Sequence, residues 1–159
     1  MAIADYLNRT IDLLFLDDFV EERGDVLLQQ RLAAPGKSGE IITGIQKLAQ
    51  RFILELLTRQ GTLNYLPQRG TSFMTDALRG YWRTVADVEQ SFYGALLQLE
   101  ANLIREEDTA DSKDEKYAGA ELQAVSFQQD RVSLRVRLRS QAGNARTYIY
   151  PLSIYSKEN

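Results

Sequence analysis

Val132-Ser133-Leu134-Arg135-Val136-Arg137-Leu138-Arg139 alternates apolar and polar residues without a break. A β-strand turns successive side chains to opposite faces, so Val132, Leu134, Val136 and Leu138 share one face, and Arg131, Arg135, Arg137 and Arg139 share the other. Upstream, Leu122, Ala124 and Ser126 alternate with Gln123, Val125 and Phe127. Downstream, Thr147 to Tyr155 reads as a third strand with Tyr148, Tyr150, Leu152 and Ile154 on one face. Turn-forming residues at 128–130 and 141–144 separate the three, which predicts an antiparallel three-stranded meander. Pro151 supplies no backbone donor, so the third strand is expected to border the sheet. Either residues 122–127 or residues 146–155 would then form its exposed edge.

Toward the N-terminus the period changes from two to between three and four. Val85, Val88, Phe92, Leu96, Leu99 and Leu103 form one helical stripe ending near Glu107, and Thr84-Val85-Ala86-Asp87 has the form of a capping box. A short helix over 72–79 precedes it, closed by Gly80. Ile41, Ile42, Ile45, Leu48, Ala49, Phe52, Ile53, Leu56 and Leu57 give the strongest stripe, with Ser38 as its expected N-cap and Gly61 as its stop. Ile3, Leu7, Ile11, Leu14 and Phe15 predict an N-terminal helix over 3–16 that ends near Asp17-Asp18. Residues 19–37 read as a flexible joint. Residues 106–116 hold no large apolar side chain and are expected to be a solvated loop. The expectation is an α+β fold, with N-terminal helices followed by a C-terminal three-stranded meander. Residues 1–37 would form a helix and joint, and 38–159 one domain.

The chain has 159 residues, 44% of them hydrophobic, which suits a single core. No run nears the roughly 20 apolar residues of a membrane span. Met1–Asp5 lacks a basic flank leading into an apolar stretch, so no signal peptide is expected. Cysteine and histidine are both absent, which removes thiolate nucleophiles, disulfides, histidine acid–base chemistry and the usual zinc ligands. No cofactor and no metal are expected. The net charge of −3 selects no bulk partner.

Thr58-Arg59-Gln60-Gly61, with Pro67 and Gly70 following at intervals of six and nine, carries the one recognisable spacing. It resembles the wedge family of phage contractile-tail baseplates, typified by the gene-twenty-five product and including a type VI secretion baseplate component. In that family a long helix leads into Thr-Arg-x-Gly, then a proline and a glycine at these intervals, two helices and a three-stranded sheet. The resemblance covers about residues 38–155. Of the Glu-Pro-Arg that family members carry near the end of the second long helix, only Glu100 is present here, and Arg69 stands where an aromatic commonly precedes the glycine. The resemblance implies a non-enzymatic wedge component and sheath initiator, present in several copies around the tail axis of a virion baseplate assembled in the host cytoplasm. Its implied partners are other wedge subunits, the tail sheath protein, and tube or hub proteins. Wedge docking would fall at Glu100. Sheath contact would fall at Arg131, Arg135, Arg137, Arg139, Tyr148 and Tyr150, with extended sheath arms joining the sheet by strand addition.

Plainer readings stand beside these. Gly61, Pro67 and Gly70 also suit an ordinary turn, Glu100 an exposed helix position, and the arginines a solvated sheet face. An adaptor for an acidic partner would use the same arginine face. Nucleic acid is disfavoured, because no aromatics interleave with the arginines. Asp17, Asp18, Glu21 and Glu22 raise the alternative of a carboxylate-based, lysozyme-like glycan hydrolase, which needs two carboxylates about 5 Å apart in different environments. A cluster at a helix end beside a joint supplies no such pocket.

Overall fold

The computed structural model describes residues 12–14, 16–21, 27–34, 36–37, 39–107 and 112–153; within 17–21 and 27–32 it describes the backbone only. The α+β class holds: among the described residues, two long helices pack against one face of a sheet whose C-terminal part is the antiparallel meander. Its strands are β5 (Tyr117–Gln128), β6 (Arg131–Ser140) and β7 (Ala145–Ser153). Along β6, Val132, Leu134, Val136 and Leu138 are buried and Arg131, Arg135, Arg137 and Arg139 are exposed, the alternation read from the sequence.

Helix α1 (Gly44–Leu57) and helix α3 (Val85–Glu106) lay their stripes on the inner face, with the short α2 (Phe73–Leu78) beside α3. Leu48, Phe52, Leu56, Phe92, Leu99 and Leu103 meet Leu134, Leu138 and Tyr148 in one continuous core. The capping box forms as expected: the Asp87 N–H donates to Thr84 Oγ1, and Asp87 Oδ2 accepts from the Thr84 N–H. Phe73 stacks obliquely on Trp82, with ring centroids 4.6 Å apart, and closes the core under α2.

The first third departs from expectation. Residues 12–13 form a strand, β1 (Asp12–Leu13), and residues 16–21 another, β2 (Leu16–Glu21), where a helix over 3–16 is expected; residues 3–11 lie outside the described residues. β3 (Leu27–Leu32) occupies the expected joint. β2 and β3 form an antiparallel hairpin, and β3 runs parallel to β7 with Leu27 opposite Thr147 and Leu28 opposite Tyr148. The described sheet therefore has five strands in the order β2-β3-β7-β6-β5. Strand β7, expected at the border, is flanked on both sides at its start, and β5 is an outer strand.

Ile41 and Ile42, read as the first turn of the long helix, form strand β4 (Ile41–Ile42) paired with β1. The helix begins after Thr43, whose side chain makes no capping bond, and Ser38 lies outside the described residues. Two polar side chains fasten this region. Buried Gln50 donates through Nε2 to Asp12 Oδ2 and to Leu13 O, both at 2.9 Å, and accepts the Leu16 N–H at 3.0 Å. Glu115 stands in the stretch expected to be a solvated loop, yet it is buried; it accepts from the Gly44 N–H and pairs with Lys47 at the start of α1. A carboxylate there meets the unsatisfied amides and positive pole of the helix.

Candidate functional site

The loop after α1 is built on a short backbone bridge. Thr58 ends the helix, its Oγ1 donating to Leu54 O at 2.6 Å. The Thr71 N–H donates to Thr58 O at 2.8 Å and the Gln60 N–H to Thr71 O at 3.1 Å, so Arg59 and Thr71 pair in parallel. This closure brings Gly70 onto the helix end. A Cβ on Gly70 would stand 2.4 Å from Thr58 O, and its φ of +90° is one that residues with a Cβ rarely adopt. Gly61 has a comparable φ of +84° but open space around it. The two motif glycines thus meet different demands.

Beneath the loop lies Glu55, a carboxylate on α1 that is only 3% exposed. Its Oε1 accepts from the Gly70 N–H at 2.8 Å and from Asn102 Nδ2 at 2.6 Å, and its Oε2 pairs with Arg69 at 2.8 Å. Asn102 also donates to Gln68 O. Arg69 continues to Glu106, Glu106 to Arg51, and Arg51 to Glu107, which accepts the Tyr117 N–H at 2.7 Å. This chain of charges joins α1, the loop, the end of α3 and the start of β5. Arg69 is therefore the loop's anchor.

On that base the loop carries Leu63, Tyr65 and Leu66 outward, with Tyr65 97% exposed. Pro67 lies in the same exposed segment. Tyr93, Leu97 and Ile104 are also exposed and fall on one side of α3. Glu100 shares that side but is only half-exposed, and its Oε1 accepts from Tyr117 Oη at 2.7 Å. Burial pushes the Tyr117 phenol far above its ordinary range, and the Glu100 carboxylate that accepts its proton raises it further. Glu100 is thus a structural tie between α3 and β5, not a plain solvated carboxylate.

The outer face of the sheet carries Arg131, Arg135, Arg137 and Arg139, none in an ion pair among the described residues. The Arg139 guanidinium lies across Gly119 of β5, where a Cβ would approach it to 3.0 Å. β5 pairs with β6 on one side, with register shifts at Tyr117/Gly119 and Leu122/Ala124, and is regular from Ala124 to Gln128. Tyr148 and Tyr150, expected among the sheath contacts, are core residues on the opposite face, stacked with centroids 5.9 Å apart. Even register parity puts them with Leu134 and Leu138, so their side chains cannot meet a partner on the arginine face.

Asp17, Asp18 and Glu21 lie on β2 and not at a helix end; Glu22 is outside the described residues. Among the described residues no group of acidic side chains has metal-site geometry, and no helix is long and apolar enough to cross a membrane. Glu55, Asn102 and Tyr65 went unread in the sequence. A carboxylate inside the stripe of Ile53, Leu56 and Leu57 was the available signal for the first of them. Comparisons with protein-family models, with curated proteins and with solved structures find no match to this chain.

Proposed function

We propose that the chain is a structural wedge component of a contractile-tail baseplate that starts the sheath by strand addition. The observation that carries this reading is an open outer strand, β5, beside a row of four arginines that have no ion-pair partner among the described residues. An incoming strand finds main-chain donors and acceptors along Ala124–Gln128, and the guanidinium row orients an acidic flank of that strand. The exposed Tyr65 loop and the Tyr93, Leu97 and Ile104 side of α3 suit the contacts with neighbouring wedge subunits, since aromatic side chains on a rigid support make effective anchors. On this reading the protein is not a catalyst. Its several copies sit in the tail baseplate among wedge, sheath, and tube or hub proteins.

The test is joint charge reversal of Arg135, Arg137 and Arg139 to Glu in the producing cell, with particles viewed by electron microscopy. Baseplates and inner tubes without a sheath are expected. Fully sheathed tails would overturn the role of the arginine row, and missing baseplates would reassign it to wedge docking.

A further inference from the structure

On the outer face of the sheet, β5 lies between the arginines of β6 and the edge that is open among the described residues. Register sets Gly119 beside Arg139, Glu121 beside Arg137 and Ala124 beside Arg135. The Arg139 guanidinium is laid across Gly119, with Nη2 3.0 Å from where a Cβ would stand. Neighbouring strands are about 4.8 Å apart, so this charge sits over β5 and not over β6, one strand nearer the open edge. The guanidinium has no hydrogen-bond or ion-pair partner among the described residues. Gly119 has no positive φ, so its backbone conformation does not call for glycine. A glycine inside a strand weakens it, and one without a conformational reason marks a place where another group must come close.

Ala124 ends in a methyl group and leaves the exposed Arg135 a similar passage. Between the two, the exposed Glu121 puts a carboxylate of its own into the row of Arg137. A strand joining the edge therefore meets charge in a fixed order. Arg139 and Arg135 are four residues apart on β6, the extra residue of β5 being absorbed by the irregularity between Leu122 and Ala124. Four residues of strand span about 13 Å. Acidic side chains at that spacing would meet both guanidinium groups, whereas one at the middle row would face Glu121 and be repelled. On the inner face Val125 and Phe127 are half-buried against the core, so apolar neighbours would extend that burial.

We propose that the strand received by β5 carries two acidic residues four positions apart on its outer face, met by Arg139 across Gly119 and by Arg135 across Ala124. The residue between them is not acidic, and the inner-face positions are apolar. This rests on the reading of β5 as an acceptor edge and adds which strand that edge selects. Gly119 is then a specificity-determining residue that touches no charge itself. It keeps clear the path by which Arg139 reaches the partner.

The experiment titrates fluorescein-Thr-Val-Glu-Val-Thr-Val-Glu-Val-Thr-amide with the full-length protein and follows anisotropy. This peptide reads the same in both directions, so either strand polarity presents the acids correctly. Saturable binding is expected, about tenfold weaker when both glutamates are glutamine and about threefold weaker when the same residues are reordered to bring the glutamates two positions apart. Gly119→Val puts a strand-favouring side chain where only the mobile end of Arg139 stands, so the variant should melt no lower than the wild type. It should nonetheless bind the glutamate peptide about fivefold more weakly, as Arg139→Gln does, and leave the glutamine peptide unaffected. Equal binding of all three peptides, or full affinity in Gly119→Val, would overturn the proposal and leave the acceptor edge standing. No saturable binding of any peptide would overturn both. Selective binding alongside fully sheathed tails in the arginine-reversal test would remove the sheath as the partner and uphold the selection.

Discussion

Arg69 and Arg137 carry the same guanidinium into opposite surroundings. Arg69 is drawn under a loop, shared between Glu55 and Glu106, and positioned by a glycine whose amide meets the same carboxylate. Arg137 stands on an open sheet face; its register partner on β5 is Glu121, yet no ion pair forms between them. In the first region charge is used up in holding the molecule together. In the second it is left available. A count of arginines or of net charge does not separate these roles, whereas burial and partner geometry do.

The sharpest way to break the comparison is at the loop's closure. Gly70→Ala combines a left-handed φ with a collision against the Thr58 carbonyl, and it is expected to cost about 3 kcal/mol or more in denaturant unfolding. Gly61→Ala meets the backbone penalty alone, about 1 kcal/mol. Equal losses at the two positions would mean that the close approach has no energetic weight. Next in size is Glu55→Ala, which leaves the Gly70 amide, Asn102 and Arg69 without their common acceptor. Because Arg69 is a quarter exposed, the expected cost is about 2–3 kcal/mol, at the lower end for a broken buried pair. A loss under about 0.5 kcal/mol would show the hub to be dispensable.

Tyr117→Phe removes the tie to Glu100 and is expected to cost about 1 kcal/mol at neutral pH. It also carries a pH signature. The folded protein holds the Tyr117 proton more tightly than the unfolded chain does, so this stabilisation is complete below the unfolded tyrosine value of about 10 and declines as the pH rises above it. The wild type should lose stability above about pH 10 more steeply than Tyr117→Phe, and parallel curves would remove the buried phenol from the account. The smallest effect belongs to the open region: Arg135→Glu, Arg137→Glu and Arg139→Glu should each change stability by within about 0.5 kcal/mol, although their joint effect on assembly is expected to be severe.

Legibility in the sequence followed locality. The capping box at Thr84 and Asp87 could be read because all its partners lie within four residues, and the β6 alternation because one strand defines it. The segment 12–42 misled for the opposite reason. Ile41 and Ile42 satisfy the helical spacing with Ile45, but their backbone pairs with Asp12 and Leu13, a partnership no local period reveals. Leu14 and Phe15 likewise fit a helical stripe, while the Leu16 N–H finds its acceptor on Gln50. The loop motif gave the position of Gly70 but not its reason, because the carboxylate under it comes from the preceding helix and the amide that completes the hub comes from Asn102.

The parallel pairing of β3 with β7 has a kinetic consequence. Leu27 and Thr147 lie about 120 positions apart, whereas β5, β6 and β7 follow one another through short turns. Closing the long loop costs more entropy than closing the hairpins, so the meander is set to form first and the β2–β3 hairpin to dock afterwards. During synthesis the hairpin leaves the ribosome long before its neighbour in the sheet exists, and until β7 emerges the nascent chain must carry an unpaired strand edge.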